Sequence, residues 1–260
     1  HPECSTTQRE IAVWEGSAYA SAAATGPGLV GEFGIGNARK VDPRLTALGS
    51  SVFAALDISL SALEEALSGL AARHPNTAMV GICCDHTRLE QLPQHPALDG
   101  QRRIGFFPGS SLGNFTPEEA VDFLRNARQL LAGGPLLLGL DQPREPALME
   151  AAYDDAAGVS AAFAHNLLQR LNRDLQGDAD PTQFRYRAHW QAAQQRIEMA
   201  LVSKQDQTVH LGGEAWFFRQ DESWITEHSV KYSPDAAAAL AAKAGWRIER
   251  RWTDPHQQMA

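Results

Sequence analysis

The chain has 260 residues, 43% of them hydrophobic, enough for one large or two small domains with a sizeable core and no need of staples. Its 23 basic and 31 acidic residues give a net charge of −8, which disfavours nucleic acid or an anionic membrane as a partner. Three cysteines, Cys4, Cys83 and Cys84, are too few and odd in number for a disulfide framework and place the expected setting in a reducing, cytoplasmic compartment.

From Gly28 to Asp141 the pattern predicts strands alternating with helices. Leu29–Phe33 reads as a short apolar strand, followed by the turn Gly34-Ile35-Gly36 and an irregular helical stretch near Lys40–Leu48. Val52–Leu56 is a second strand, ending at Asp57. Leu60–Ala72 carries apolar residues at helical spacing, and Ala78–Cys84 is a third strand, ending at Asp85. Ile104–Phe107 is a fourth. Pro117–Leu131 reads as a helix with Thr116 as N-cap and Glu118 and Glu119 in its first turn, where negative charge suits the helix dipole. Leu136–Leu140 is a fifth strand, ending at Asp141. Continuous apolar strands separated by helices read as a doubly wound parallel sheet, an α/β fold of Rossmann-like type.

The register then changes. Ala147–Ala156 and Ser160–Leu175 are predicted helices, and Phe184–Trp190, Arg196–Ser203, Thr208–Leu211, Ala215–Arg219 and Trp224–Val230 predicted antiparallel strands. Turn signals stand at Asp206-Gln207 and Gly212-Gly213. Pro234–Ala244 is helical again, and Trp246–Trp252 is expected to return to the sheet as a last strand. The expected organisation is a sheet domain over 8–142 plus 234–260 and an inserted α+β lobe over 1–7 plus 143–233. The longest apolar stretch, Pro135–Leu140, is too short to span a bilayer, and no secretory leader is visible. The chain opens on His1 rather than Met, and further residues are expected ahead of it. A metal would have to draw on Cys83, Cys84, His86 and His1. Neighbouring strand residues point to opposite faces and chelate one ion poorly, so no metal is expected.

In an open α/β sheet, ligands bind beyond the carboxyl ends of the strands. The turn at Gly34 and Gly36, Asp57, Asp85 and Gly109 all fall there. Glycine lets main chain approach a ligand closely, and an acid ending the second strand can take both hydroxyls of a ribose. That set fits either a nicotinamide dinucleotide or S-adenosylmethionine. The dinucleotide fingerprint wants a small third residue so that the helix packs under the pyrophosphate, and here that position is Arg39. S-adenosylmethionine has no pyrophosphate and is the favoured cofactor. The bland alternatives are an ordinary strand-to-helix turn at the glycines and helix N-caps at the aspartates.

Five stretches, in order, carry a resemblance over nearly the whole chain. They are Pro108-Gly109-Ser110-Ser111-Leu112-Gly113-Asn114-Phe115, Ala152-Tyr153-Asp154-Asp155-Ala156-Ala157-Gly158-Val159, Leu171-Asn172-Arg173-Asp174-Leu175, Arg196-Ile197-Glu198-Met199, and Thr226-Glu227-His228-Ser229-Val230-Lys231-Tyr232. With them the chain resembles the histidine Nα-methyltransferase family of ergothioneine biosynthesis, which adds a substrate-binding lobe after the fifth strand. The resemblance implies cofactor-binding roles for Gly34, Gly36, Lys40, Asp57, Asp85 and His86. It implies that Gly109 and Asn114 hold the substrate α-amine, Tyr153 its carboxylate, Glu227 and Ser229 its imidazole, and that Met199 lines the pocket. Asn114 and Tyr153 would be the catalytic pair.

The chemistry is consistent with those residue types. A sulfonium methyl is already activated, so the protein mainly supplies orientation and a neutral amine. A side-chain amide such as Asn114 accepts from the amine without competing as a nucleophile. Glu227 and Ser229, two apart in a strand, share a face and can grip a ring at two points. The alternatives are a loop cap for Asn114, ordinary packing for Tyr153 and Met199, and a solvated edge-strand face for Glu227 and Ser229, paired with Lys231. Departures from the family concentrate near the start, where Cys4 and Ser5 stand in place of a tyrosine pair.

The expectation is an S-adenosylmethionine-dependent N-methyltransferase acting on the α-amine of a free amino acid, L-histidine first. It is expected to be a monomer with the substrate between its lobes. Glu227 and Met199 argue against indole-accepting relatives, whose pocket should be apolar there. A different amino-acid acceptor, a low-activity cofactor-binding module and a nicotinamide-dependent oxidoreductase are the alternatives.

Overall fold

The computed structural model describes residues 28–35, 40–42, 45–46, 49 and 51–254. The expectations placed on Cys4, Ser5, Gly36 and Arg39 lie outside the described residues. The chain forms two compact units, one of Pro143–Lys231 and one built from the segments up to Gln142 and from Tyr232 onward. Among the described residues no helix is long and apolar enough to cross a membrane.

The larger unit holds a parallel five-stranded sheet. Its strands are β1 (Leu29–Phe33), β2 (Val52–Asp57), β3 (Ala78–Cys83), β4 (Arg103–Phe107) and β5 (Leu136–Leu138), in the spatial order β3-β2-β1-β4-β5. β1 is buried at every position, as a strand covered on both faces must be, which is why its sequence is continuously apolar apart from Glu32. Helix α1 (Leu60–Arg73) buries Leu63 and Leu70 against Val30, Phe53, Ile104 and Phe106. Each fully buried phenylalanine there contributes roughly 1.5–3 kcal/mol. Ser59 caps α1 by accepting from the Ala62 N–H. Helix α2 (Pro117–Leu130) begins in a full capping box: Thr116 Oγ1 accepts from the Glu119 N–H, and the Glu119 carboxylate accepts from the Thr116 N–H.

The strand order reverses at one place. The chain runs outward through β1, β2 and β3, then returns to lay β4 on the other side of β1. The crevice at such a reversal is where open α/β sheets bind ligands. Here it opens beyond Phe33 and Phe107, directly before Gly34 and Pro108-Gly109.

Two expectations for this unit are corrected. β5 stops at Leu138 rather than Leu140; it is an edge strand paired only with β4, and the last bond on that side is Gly139 N–H to Phe107 C=O. Trp246–Trp252 forms no strand. Arg250 interrupts the alternating face of Trp246, Ile248 and Trp252, and Ile248 is left exposed along with Arg247, Glu249, Arg250 and Arg251. Trp246 anchors it instead, its indole N–H donating to the Leu124 carbonyl, and Trp252 packs on the core. Between the sheet and this tail lies helix α5 (Pro234–Lys243), capped by Ser233; the helices of the smaller unit, α3 and α4, precede it in the chain.

The smaller unit is α+β. Helices α3 (Pro146–Tyr153) and α4 (Val159–Leu175) precede strands β6 (Phe184–Gln191), β7 (Arg196–Ser203), β8 (Gln207–Leu211), β9 (Glu214–Phe218) and β10 (Ser223–Val230). β10, β7 and β6 make an antiparallel sheet with β7 central, and β8 and β9 form a separate hairpin. α3 was expected to run to Ala156 but ends at Tyr153. Asp154 leaves the helical region, and the Asp155 carboxylate turns to accept from the Val159 and Ser160 N–H groups that open α4. Two cores result. Ala164, Leu168, Phe184, Leu201 and Val209 form one; Met149, Ala188, Ile197 and Met199 form the other, bordered by Tyr153, Tyr186 and Trp190.

Candidate active site

In the parallel-sheet unit the crevice is made mostly of main chain. Gly34 has φ 73°, in the left-handed region that disfavours side chains, and its N–H donates to the Leu56 carbonyl. The next N–H, of Ile35, donates to Asp57 Oδ2 at 3.1 Å, while Ser59 N–H donates to Oδ1 at 2.9 Å. Asp57 therefore ties the end of β2 to the turn after β1. Each of its carboxylate oxygens has taken one N–H and keeps a lone pair for a further donor. His86 packs edge-on against Phe33, Phe107 and Phe123, and its Nδ1 is buried without a hydrogen-bond partner among the described residues. Burial pushes the His86 pKa down, against the pull of Asp85 and Asp57. Gly109 also sits in the left-handed region, at φ 82°, and a Cβ there would come 2.8 Å from Lys40 Nζ.

Gly34, Lys40, Asp57, His86 and Gly109 thus gather at the strand-end crevice. Asp85 is exposed and engaged in its own turn. Its Oδ1 accepts from the Thr87 hydroxyl and N–H, which hold its carboxyl below the ordinary carboxylate range. Asn114 ends the 3-10 turn Ser111–Asn114 beyond β4, exposed, its amide making no hydrogen bond among the described residues. Ser110 braces that loop from beneath: held at φ 56°, it accepts the Asp141 N–H on its hydroxyl at 2.9 Å.

The crevice fits a ribose-bearing sulfonium cofactor. Asp57 has unspent lone pairs at the topological reversal, the orphaned His86 nitrogen awaits a partner, and the positive-φ glycines keep side chains out of the way.

In the smaller unit the site is made of side chains. Tyr153, the last residue of α3, places its hydroxyl 3.0 Å from Ser229 Oγ on β10. Lys231, 1% exposed, donates to Tyr153 Oη at 2.5 Å and to Ser229 Oγ at 2.9 Å, with its Nζ 4.5 Å from the centre of the Tyr153 ring. Tyr186 on β6 donates its hydroxyl to the Tyr153 carbonyl at 2.9 Å. Its phenol pKa is pushed up, chiefly by burial and then by the carboxylates of Asp154 and Glu227. Met199 lies opposite Glu227 in the β7–β10 ladder and is buried with Ile197 and Ala188.

Tyr153, Ser229, Met199 and Glu227 therefore come together on one sheet. The shared face is not uniformly covered: Ser229 is buried, whereas Glu227, just after the register shift in the ladder, is exposed. Lys231 was missed as a site residue. Its alternation with Glu227 and Ser229 signalled a shared face, but nothing in the sequence signalled that the face is closed over at Lys231.

A parallel sheet whose reversal carries a glycine turn and an acid at the end of β2 defines a Rossmann-like α/β protein with a crevice for a ribose-bearing cofactor, and the family match below makes that class a methyltransferase of S-adenosylmethionine. A solved structure supports the fold. The CcbJ methyltransferase from Streptomyces caelestis superposes with a TM-score of 0.52 at 20% identity, covering 96% of this chain and 91% of that one. The chain belongs to the family of histidine-specific, S-adenosylmethionine-dependent methyltransferases, whose family model matches residues 1–260. It is 33% identical over 261 residues to histidine N-alpha-methyltransferase of Mycolicibacterium smegmatis, covering 98% of this chain and 80% of that protein. It is also 33% identical over 261 residues to the Mycobacterium tuberculosis protein of the same name, covering 97% of this chain and 80% of that one.

Proposed function

We propose that this protein methylates the α-amino nitrogen of free L-histidine, toward trimethylhistidine, with S-adenosylmethionine as donor. The observation that supports it most is the bond between the half-buried Tyr153 hydroxyl and the buried Ser229 hydroxyl, on the strand that also carries Glu227 and beside a core of Met149, Ala188, Ile197 and Met199, in a chain of the histidine-specific family.

When bound, S-adenosylmethionine supplies a methyl group already activated by the sulfonium. The protein's own residues then have to hold the acceptor and keep its amine neutral. Asn114, uncommitted to any internal bond among the described residues, accepts an amine N–H and aims the nitrogen lone pair. Glu227 accepts an imidazole N–H, and Ser229 meets the other ring nitrogen. Tyr153 takes the substrate carboxylate from the end of α3. Asp57 would hold the cofactor ribose through the lone pairs that Ile35 and Ser59 leave open, and Gly34, Lys40 and His86, with Asp85 and Gly36 on the family resemblance, would hold the rest of it.

Product mass after incubation with S-adenosylmethionine and a panel of free amino acids tests the reading. Histidine should gain whole methyl increments, located on the α-nitrogen by fragmentation; a chain that methylates tryptophan and leaves histidine unchanged would overturn it. The reading also takes the protein to be a cytoplasmic monomer, which light scattering behind size exclusion tests as regards the oligomer.

A further inference from the structure

Lys231 has no part in the grip just described, yet it is the most deeply buried cation of its unit and points both sides of the Tyr153–Ser229 pair. Lysine Nζ, Tyr153 Oη and Ser229 Oγ form a closed triangle with edges of 2.5, 2.9 and 3.0 Å. A lysine ammonium has three N–H donors and no acceptor, so both oxygens must accept from it. Two hydroxyl protons remain. One spans the tyrosine–serine edge. The other has no acceptor inside the triangle, and among the described residues no further acceptor bonds either oxygen. A buried donor left unpaired is costly, so the cluster is one acceptor short.

We propose that Lys231 is a positioning residue that, together with the Tyr153–Ser229 bond, fixes the Ser229 hydroxyl as a hydrogen-bond donor toward the substrate ring, and thereby selects an azole with one unprotonated nitrogen. Lys231 takes one lone pair on each oxygen from behind; with Tyr153 donating across the shared edge, both lone pairs of Ser229 are filled and its proton is left to donate forward. Glu227, two residues along the same face, can only accept when ionised. The two together match a neutral imidazole, with N–H toward Glu227 and lone pair toward Ser229. A ring with an N–H but no second nitrogen satisfies Glu227 and leaves the serine proton stranded.

The inference rests on the histidine reading and is tested by comparing histidine with β-(2-pyrrolyl)alanine, which keeps a ring N–H and lacks the acceptor nitrogen. The native chain should prefer histidine by about 100-fold in kcat/KM, the size expected when a site's polar group loses its partner. Lys231→Met should cut that preference about 10-fold, mostly through a higher histidine KM with kcat held within about 3-fold, because freed lone pairs let the hydroxyls turn either way. In a Ser229→Ala background the same substitution should change the preference less than about 2-fold, since Lys231 acts through that hydroxyl. A purely structural lysine would instead lower both substrates together in both backgrounds, and that result overturns the proposal. Should Lys231→Met fail to fold, the native chain decides alone: pyrrolylalanine turned over within about 3-fold of histidine overturns it, and about 100-fold discrimination upholds it. If the native chain methylates no histidine at all, the functional reading fails, whatever Lys231 does.

Discussion

The two units build their sites from different materials. At the reversal of the parallel sheet the crevice is main chain: two left-handed glycines, and one aspartate held by two N–H groups. On the antiparallel sheet the site is side-chain heads bonded to one another, joining residues 76 and 78 positions apart. A main-chain site is vulnerable to an added Cβ or a changed φ. A side-chain network is vulnerable to truncation, because each lost partner strands a buried group. Damage at the β1–β2 strand ends should therefore appear as lost donor binding, and damage on the antiparallel sheet as lost acceptor binding, with Asn114 the one acceptor contact assigned to the larger unit.

The largest effect expected is at Asp57. Asp57→Ala removes the acceptor for Ile35 and Ser59 and the lone pairs left for a ribose. Affinity for S-adenosylhomocysteine by calorimetry should fall roughly 100-fold, about 2.7 kcal/mol. An unchanged affinity would break the assignment of the crevice. Next is Gly109→Ala, which forces a side chain to φ 82° and against Lys40 Nζ. Left-handed strain of this kind costs about 1–3 kcal/mol, seen as a lower Tm and as weaker binding of both the donor and histidine, whose α-amine this loop is expected to meet. A neutral result would mean the loop relaxes freely and the glycine is dispensable.

In the other unit, Glu227→Ala should raise histidine KM roughly 5- to 10-fold, about 1 kcal/mol, the low end for a lost hydrogen bond because this carboxylate is exposed. Donor affinity should stay as it was. The smallest effect is a local titration. Asp155, which accepts from Ser160 and Val159 at the start of α4, has its pKa lowered to about 2. The folded state thus favours the carboxylate: its contribution is complete above about pH 4, the ordinary aspartate range, and is lost as pH falls through 2. The amide resonances of Val159 and Ser160 should shift with that midpoint, and a midpoint near 4 would show the cap absent in solution.

The same contrast explains what the sequence made legible. The parallel sheet could be read because continuous apolar runs mark doubly covered strands, and Thr116 with Glu119 marks the start of α2 through local spacing alone. The crevice glycine Gly34 and the acid Asp57 follow from position at strand ends. Glu227, Ser229 and Lys231 could be placed on one face by alternation. Their partner Tyr153 could not be derived from spacing, because no local pattern encodes a bond across 76 residues; only the family resemblance supplied it. The depth of burial at Lys231 was invisible for the same reason. Trp246–Trp252 misled because Trp246, Ile248 and Trp252 alternate as in a strand, while Arg250 falls on the same face and needs water. α3 ended early because Asp155 is better used capping α4.

The division of labour between the units is tested most directly on a single preparation of Ser229→Ala, by measuring histidine KM and S-adenosylhomocysteine affinity side by side. Histidine KM should rise about 10-fold or more while the cofactor affinity stays within about 2-fold of the native value, in line with a lost buried hydrogen bond confined to one unit. An unchanged KM, or a cofactor affinity that falls in step with it, would contradict the assignment of ring recognition to Ser229.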